Sequence, residues 1–376
     1  MGRLNIVGGN SGGVFGNRKN IMEKCSACGL CVDSCLLLQE IGEVPLDIAT
    51  RGPAIEEAFS CNLCELCTAV CPEDLSLAGM FAAKRVEAVA NGEFPIYDYR
   101  YIYPDRELNV CKLYREKYHI DYNDLPLDKK GAVAFFPGCT MFTYAPAITR
   151  AAFNHLQELW PYISLLTDCC GKPLYQMGLR ERGESYTGYI KSKLIGLGVK
   201  VLITACPNCF YQLRADLAPA GVEVRTIYES WGEGKPGTSS VTIHDSCPDR
   251  HEGIFARQVR GVLERLGYQR VEMEHHGTTT FCCGSGGQVS HFRPDLAEAL
   301  IVRRLEEAGK TGAGILAGYC LSCVLNFARI SSGIKVRHAL DLLLGLDEDY
   351  NGIKERARAL FSGPEGEENW QRVMAE

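Results

Sequence analysis

Two short cysteine runs carry the most specific chemistry in this chain of 376 residues. Residues 25–35 (the first run) read CSACGLCVDSC and residues 61–71 (the second run) read CNLCELCTAVC, so both follow C-x2-C-x2-C-x3-C. In this spacing three thiolates wrap one [4Fe–4S] cluster and the fourth crosses to a second cluster. The runs therefore predict one cubane on Cys25, Cys28, Cys31 and Cys71, and another on Cys61, Cys64, Cys67 and Cys35.

Zinc is the alternative metal for these runs, because C-x2-C pairs also occur in zinc sites. A structural zinc ion is bound by four ligands and does not require the doubled pattern, so iron is favoured. The second run is followed by Pro72, whereas the first run is followed by Leu36. The missing proline weakens the turn signal of the first run but removes no ligand. Two clusters in one small unit indicate an electron conduit.

Ten further cysteines form an internal repeat. Each copy has a single cysteine, then Cys-Cys-Gly, then Cys-x-x-Cys, and corresponding cysteines lie 108 to 114 positions apart. The repeat predicts two homologous half-domains related by a pseudo-twofold axis. The first repeat set is Cys139, Cys169, Cys170, Cys206 and Cys209; the second repeat set is Cys247, Cys282, Cys283, Cys320 and Cys323.

Five thiols in each repeat set exceed the four that one zinc ion or one cubane takes, which indicates a larger or more open iron assembly. A vicinal pair brings two sulfurs to neighbouring irons where the chain turns sharply, and Gly171 and Gly284 are expected to permit that turn and bring backbone close to the metal. A strained disulfide, a thioredoxin-like C-x-x-C motif and zinc in one copy are the alternatives. Cys111 matches no motif and is expected to be a lone buried thiol.

Beyond residue 130, apolar runs alternate with helical stretches, which predicts an α/β architecture. Buried strands are expected at 131–136, 162–166, 200–204, 241–244 and 314–318. The helix over PAITRAAFNHLQELW is expected to bury Ile148, Ala152, Leu156 and Leu159, and the helix from Pro294 to Ala308 to bury Leu296, Leu300 and Leu305. Nearer the N-terminus, helices are expected from about Ala54 and between Ser76, an N-cap, and Gly92, a stop.

Composition narrows the class of protein. Residues 1–24 lack the apolar run of a signal peptide and no stretch is long enough to span a bilayer, so we expect a cytoplasmic chain whose clustered cysteines bind metal. The net charge of −6 includes no basic block, which argues against nucleic acid as a partner. The segment VGGNSGGVFG (7–16) has neither the Gly-Lys-Ser/Thr ending of a P-loop nor a G-x-G-x-x-G motif. It is expected to be flexible or to lie on a partner.

The doubled pattern C-x(n)-C-C-G-x(n)-C-x-x-C, with segments FFPGCTMFTYAP, CCGKPLYQMG, HDSC and CCGSGGQ, resembles the cysteine-rich (CCG) domain family. This family includes the B subunit of heterodisulfide reductase and iron–sulfur subunits of glycolate, lactate and glycerol-3-phosphate oxidising systems. With a ferredoxin module in front, the chain resembles the D subunit of heterodisulfide reductase, or the C and B subunits fused, over roughly residues 20–345.

The resemblance implies an α/β fold class: an N-terminal α-helical two-cluster ferredoxin module followed by two pseudo-symmetric α/β CCG half-domains. The expected boundaries are a Gly-rich segment 1–20, the ferredoxin domain 21–92, a linker 93–130, CCG half-domains 131–235 and 236–345, and a charged helical tail 346–376. The tail is expected to dock onto a partner.

The resemblance also implies that each repeat set binds one non-cubane [4Fe–4S] cluster, with zinc or a simpler cluster as the alternative in one copy. A disulfide such as CoM-S-S-CoB would then be cleaved at the open clusters held by Cys169, Cys170, Cys282 and Cys283. His244 is a candidate proton donor, and so is His291, although either could simply donate a hydrogen bond to backbone or a cluster sulfur.

The sequence is compatible with two functions. One is reductive cleavage of a disulfide; the other is electron relay in a flavoprotein oxidoreductase complex, of the lactate, glycolate, glycerol-3-phosphate or acyl-CoA-linked kind, to a quinone or cytochrome. The lactate and glycolate branch tends to read H-D-x-C-H-L where this chain has HDSCPDR, so Pro248 disfavours that branch. No flavin or nicotinamide motif is present, so a flavoprotein or membrane cytochrome subunit of a hetero-oligomer is the expected electron partner, and the only membrane contact expected is through such a subunit.

Overall fold

The N-terminal part of the chain is a group of short helices that carries both cysteine runs. The structure is a computed structural model that describes residues 14–232, 237–330 and 332–375, so most of the Gly-rich segment lies outside the described residues. The helices are α1 (Val14–Lys24), α2 (Leu30–Ser34), α3 (Leu36–Ile41), α4 (Pro45–Arg51), α5 (Ile55–Ser60), α6 (Leu66–Ala69) and α7 (Leu77–Ala90).

Local sequence signals set the limits of the predicted N-terminal helices. Helix α5 begins directly after Ala54. The Ser76 hydroxyl accepts a hydrogen bond from the Gly79 amide at 3.0 Å, which satisfies a free N–H in the first turn of α7. Gly92, with φ +69°, follows the end of α7. Both expectations for this part of the chain are therefore confirmed.

The first half-domain is a parallel sheet of four strands with helices between them. Its strands are β1 (Val133–Phe136), β2 (Ser164–Leu165), β3 (Val201–Thr204) and β4 (Glu223–Thr226), in the spatial order β2-β1-β3-β4. It is preceded by the 3-10 helix Ile96–Ile102 and by α8 (Val110–Lys117). Its helices are α9 (Cys139–Tyr144), α10 (Pro146–Leu159), α11 (Lys172–Gln176), α12 (Arg180–Leu197) and α13 (Pro207–Leu217).

The second half-domain repeats this topology. Its strands are β5 (Ser240–His244), β6 (Gln269–Arg270), β7 (Ile315–Gly318) and β8 (Lys335–His338), in the order β6-β5-β7-β8. Its helices are α14 (Ile254–Arg265), α15 (Val289–Phe292), α16 (Pro294–Lys310), α17 (Leu321–Phe327) and α18 (Ala339–Leu344). The matching strand orders confirm the predicted fold class of a helical cluster module followed by two pseudo-symmetric α/β half-domains.

Two helices close the chain, α19 (Tyr350–Ala359) and α20 (Gly363–Met374). They pack on the chain itself, since α20 contacts α8 and the 3-10 helix, and α19 contacts α17. The Arg100 side chain, for example, donates a hydrogen bond from Nε to the Met374 carbonyl at 2.8 Å. Among the described helices, none is both long and apolar enough to cross a membrane.

Three strands were not predicted, and one residue of a predicted apolar helix face is not buried. Strands β4 and β8 read EVRT and KVRH, and both residues of β6 are exposed, so these edge strands lack the continuous apolar run of a central parallel strand. In α10, Ile148, Ala152 and Leu156 are buried as expected, but Leu159 is 49% exposed. Leu159 is the last residue of α10.

Candidate functional site

The cysteines of the two runs separate into the two groups that their spacing predicts. Cys25, Cys28, Cys31 and Cys71 line one small cavity beside α1, which Cys67 also borders. Burial raises the pKa of the Cys31 thiol to about 11, and the nearby Cys25 and Cys71 add to the shift. The crossing of Cys71 to the first run is therefore present in the fold.

The second group is Cys35, Cys61, Cys64 and Cys67. Burial raises the pKa of the Cys67 thiol well above its usual value, and Cys61, Cys64 and Cys35 each raise it further. Both runs also adopt the same turn conformation, because Ala27 and Leu63, at matching positions, have φ of +53° and +51°. In each group three thiols from one strained turn and a fourth from the other run fit an iron–sulfur cluster.

The vicinal pairs of the repeat sets lie on sharp turns with buried thiols. Gly171 and Gly284 have φ of +79° and +77°, in the left-handed region that glycine favours, which explains the predicted turn. A Cβ on Gly284 would lie 2.6 Å from the Ala297 carbonyl oxygen, and one on Gly171 would meet Thr187 at 3.2 Å. These glycines therefore allow close packing against α16 and α12. That they also bring backbone close to a metal stays a prediction.

The thiols of the second repeat set form a continuous contact network. The Sγ atoms of Cys283 and Cys323 are 3.0 Å apart. Cys282 is a hydrogen-bonding neighbour of Cys247 and of Cys283, and these contacts raise the pKa of its thiol. Hydrogen bonding to Cys282 and then Cys323 holds the pKa of the Cys283 thiol well below its usual range.

The first repeat set has the corresponding arrangement. Hydrogen bonding to Cys169 lowers the pKa of the Cys139 thiol. Contacts with Cys169 and then Cys209 lower that of Cys170 in the same way. All nineteen cysteines of the chain lie in the described residues, and all are free thiols. Each set of five thus presents converging thiols suited to one metal assembly, with more donors than a single zinc ion uses.

The two repeat sets meet at the junction of the half-domains. Cys206 and Cys320, which hold the same position in their copies, are hydrogen-bonding neighbours, and this contact lowers the pKa of the Cys320 thiol. The hydroxyls of Thr140 and Ser322 are 3.2 Å apart beside them. The pseudo-symmetry therefore places the two sets next to each other.

The second group of the helical module adjoins the second repeat set. Cys64 is a hydrogen-bonding neighbour of Cys282, which lowers the pKa of the Cys64 thiol to about 6, and the charge of Arg250 lowers it further. Buried Arg250 donates from Nε to the Cys64 carbonyl at 2.9 Å and from Nη2 to the Thr280 carbonyl at 2.7 Å. This arginine joins the loop of the second run to the second half-domain.

Arg85 is a second buried arginine at this junction, and sequence reasoning missed it. Its side chain is fully buried, and it donates hydrogen bonds only to backbone carbonyls. Burial lowers the pKa of its guanidinium to about 10, so it stays charged at neutral pH. The acceptors are the carbonyls of Ala58, Phe59, Cys61, Gln176 and Gly287.

A cavity of about 1340 Å³ lies between the half-domains. Thiols of both repeat sets line it, together with Cys64 and the side chains of Tyr175, Tyr186 and Asn326. Of the four cysteines expected at the substrate, Cys169, Cys170 and Cys283 line this cavity, whereas Cys282 faces Cys64. The cavity exceeds the usual size of a small-molecule site, which leaves room for clusters and a ligand together.

His244 lies beside the second repeat set. It is buried, and its Nδ1 accepts a hydrogen bond from Arg304 Nε at 3.2 Å, which places the proton of a neutral ring on Nε2. One ring nitrogen of His244 lies within 4.8 Å of the sulfurs of Cys283 and Cys323. Its Nε2 has no hydrogen-bond partner among the described residues. The position matching His244 in the first half-domain, three residues before the first cysteine, is Phe136.

The other singled-out residues also border the cavity. His291 Nδ1 is 2.8 Å from the Tyr101 hydroxyl. The ring is exposed to the cavity, where partial desolvation, together with nearby Lys354 and Arg329, lowers its pKa to about 4. Cys111 is half-buried on α8 and lines the cavity, close to Cys139 of the first repeat set.

Comparison with known proteins gives the class. The model described as "Cysteine-rich domain" (CCG) matches residues 133–214 and 241–328, and the "4Fe-4S dicluster domain" matches residues 24–76. The chain therefore contains a 4Fe-4S dicluster domain in front of two cysteine-rich (CCG) domains. More particularly, it is an iron–sulfur electron-transfer subunit related to the D subunit of heterodisulfide reductase.

Three relatives define this neighbourhood. The chain is 25% identical over 399 residues to the D subunit of dihydromethanophenazine:CoB--CoM heterodisulfide reductase of Methanosarcina mazei, covering 89% of this chain and 95% of that protein. It is 27% identical over 357 residues to the B subunit of fumarate reductase (CoM/CoB) of Methanothermobacter marburgensis, covering 85% and 71%. A shorter match, 30% identical over 146 residues, is to EtfAB:quinone oxidoreductase of Syntrophomonas wolfei, covering 34% and 19%.

Proposed function

We propose that the chain passes electrons through two cubane clusters to two non-cubane [4Fe–4S] clusters and reductively cleaves a small disulfide between them. The observation that carries this proposal is that both repeat sets line one cavity of about 1340 Å³ and meet at the Cys206–Cys320 contact. An electron relay needs adjacent thiols but no ligand-sized space at both sets. The printed name of the relatives from Methanosarcina, heterodisulfide reductase, agrees with this reaction.

The proposed ligands follow the thiol groups described above. The grouping of thiols in the helical module supports two cubanes, and five converging thiols in each repeat set support an open cluster. They are Cys25, Cys28, Cys31 and Cys71 for the first cubane; Cys61, Cys64, Cys67 and Cys35 for the second; and the first and second repeat sets for the two non-cubane clusters. Zinc with His244, Cys283 and Cys323 is the alternative at the second repeat set.

Cleavage of one disulfide consumes two electrons and two protons, because the S–S bond breaks and two S–H bonds form. The clusters, when bound, supply single electrons and iron atoms open to sulfur. The chain orients the thiols toward the cavity, and His244 presents Nε2–H on the side of the second repeat set. The first repeat set has Phe136 instead, so the two sulfurs of the substrate would meet different surroundings.

A partner protein would supply the electrons at the first cubane. Cys28 is exposed, and the apolar side chains of Met22 and Leu30, 46% and 49% exposed, lie near it in the chain. A flavoprotein or a membrane cytochrome subunit fits this role, since the names of relatives include dihydromethanophenazine and EtfAB:quinone oxidoreductases. We therefore place the chain in a hetero-oligomeric complex.

Anaerobic mixing of the reduced, cluster-loaded chain with disulfides tests the proposal. At least one disulfide, CoM-S-S-CoB among those tried, should reoxidise the clusters and yield two thiols per molecule consumed. Cys170→Ser should abolish this reaction, whereas Cys111→Ser, which changes the one cysteine outside the motifs, should retain it. If no disulfide reacts while a flavoprotein exchanges electrons quickly, the chain is an electron relay.

A further inference from the structure

The C-terminal helices form one wall of the cysteine-lined cavity. Side chains of both α19 and α20 border it, with Phe361 and Trp370 supplying apolar surface and Lys354 and Arg358 supplying positive charge. Arg329, which follows the end of α17, borders the same space. The wall therefore combines apolar rings with three cations, which we call the cation trio: Arg329, Lys354 and Arg358.

The cation trio has no carboxylate within ion-pair distance among the described residues. Burial lowers the pKa of Lys354 to about 8, and the charges of Arg329 and Arg358 lower it further. Burial also lowers the pKa of Arg329, again with a contribution from Arg358; the more distant Glu298 opposes this. Three cations held together without a counter-charge repel one another, which is costly unless an anion binds there.

The carboxylates of the cavity wall are already paired. Asp105 pairs with Arg182 at 2.8 Å, and Asp168 with Lys193 at 2.7 Å. Glu65 lies 2.7 Å from His251 Nε2, and Glu252 pairs with Arg214. The carboxylates around the cavity are thus unavailable to the cation trio, and the charge left unbalanced on this wall is positive.

The position of the trio relates it to the sulfur chemistry. Cys323 lies on α17 and Arg329 follows the end of the same helix, and both residues border the cavity. All three cations lie outside the residues matched by either domain family, which end at residue 328.

We propose that Arg329, Lys354 and Arg358 form a subsite for the anionic group of the substrate, a carboxylate, sulfonate or phosphate carried by the disulfide. The subsite makes the cavity selective for negatively charged disulfides over neutral or cationic ones. This inference rests on the proposed function, because it names the substrate class of the same cavity.

Equilibrium binding to the oxidised, cluster-loaded chain tests the subsite without turnover. The probes are 3,3′-dithiodipropionate, the neutral bis(3-hydroxypropyl) disulfide and the cationic cystamine, followed by calorimetry at low salt. We expect the dicarboxylate to bind wild-type protein best, and Lys354→Gln and Arg358→Gln each to weaken it by about tenfold or more. Binding of the neutral disulfide should be unchanged in both variants.

Arg356→Gln is the matched control, because Arg356 lies on the same helix, carries the same charge and is not among the cavity-lining residues. It should bind the dicarboxylate as wild type does. Equal binding of the dicarboxylate by wild type and both trio variants, or no preference over the neutral probe, overturns the subsite. Arg358 is exposed, so Arg358→Gln remains informative even if Lys354→Gln impairs folding.

Disulfide turnover separates the two proposals. If the dicarboxylate binds through the trio but the reduced protein cleaves no disulfide, the subsite stands and the proposed function is wrong. If neutral disulfides are cleaved as fast as anionic ones at equal concentration in wild type and both trio variants, the proposed function stands and the subsite is wrong.

Discussion

The thiol of Cys64, in the helical cluster module, is a hydrogen-bonding neighbour of the thiol of Cys282, in the second half-domain. From Cys282, thiol contacts continue through the second repeat set and cross to the first at Cys320 and Cys206. The fold therefore arranges the four thiol groups in one order, with the second repeat set between the helical module and the first repeat set.

Arg250→Gln should loosen the junction of the helical module and the second half-domain. The change removes hydrogen bonds from a buried charged donor to the carbonyls of Cys64 and Thr280, which we expect to lower the free energy of unfolding by about 2 kcal/mol or more. Chemical denaturation of the loaded protein measures it. The control Arg257→Gln, in an exposed side chain, should change stability by less than about 0.5 kcal/mol. Equal stability of both variants would contradict the role of Arg250.

Arg85→Gln should lower the reduction potential of the cluster bound by the second group of thiols. The guanidinium is buried beside Cys61, where its positive charge favours the reduced, more negative cluster. Loss of one such charge corresponds to a shift on the order of 50 mV. EPR-monitored redox titration measures it, and Arg85→Lys, which keeps the charge, should shift the potential less. An unchanged potential in Arg85→Gln would remove Arg85 from this role.

Metal analysis should find about sixteen irons and no zinc in the intact chain, as four [4Fe–4S] clusters require. Cys323→Ser should lower the iron content by about four while leaving the EPR signals of the N-terminal cubanes in place. Cys111→Ser should bind as much iron as wild type, because Cys111 belongs to neither set. About twelve irons with one zinc would show instead that one repeat set is a zinc site.

His244→Phe should slow disulfide cleavage by about a hundredfold, because it removes an imidazole that lies beside Cys283 and Cys323 and whose Nε2 has no hydrogen-bond partner among the described residues. The first half-domain already has Phe136 at this position, so phenylalanine is a natural replacement there. Cluster content by EPR must stay constant for the rate to be interpreted. His276→Gln, in an exposed histidine, is the control. Unchanged turnover in His244→Phe would leave His244 with a structural role alone.

Much of the fold follows from local patterns. The central strands β1, β3, β5 and β7 are apolar runs, and they were predicted, as was the apolar edge strand β2. The other edge strands, β4, β6 and β8, are polar or exposed, and they were not. Leu159 fits the helical period of α10 but lies at its end, so periodicity alone assigned it wrongly. Edge strands and helix ends depend on neighbours that the local sequence does not specify.

The candidate site divides in the same way. Cysteine spacing by itself determined the two runs and the two repeat sets, because a cluster takes several ligands from one short turn and the turn is encoded locally. The contact of Cys64 with Cys282, the carbonyl shell of Arg85 and the cation trio on the cavity wall join residues from distant parts of the chain. Only tertiary packing decides such contacts, because they depend on how separately folded elements meet rather than on any local repeat.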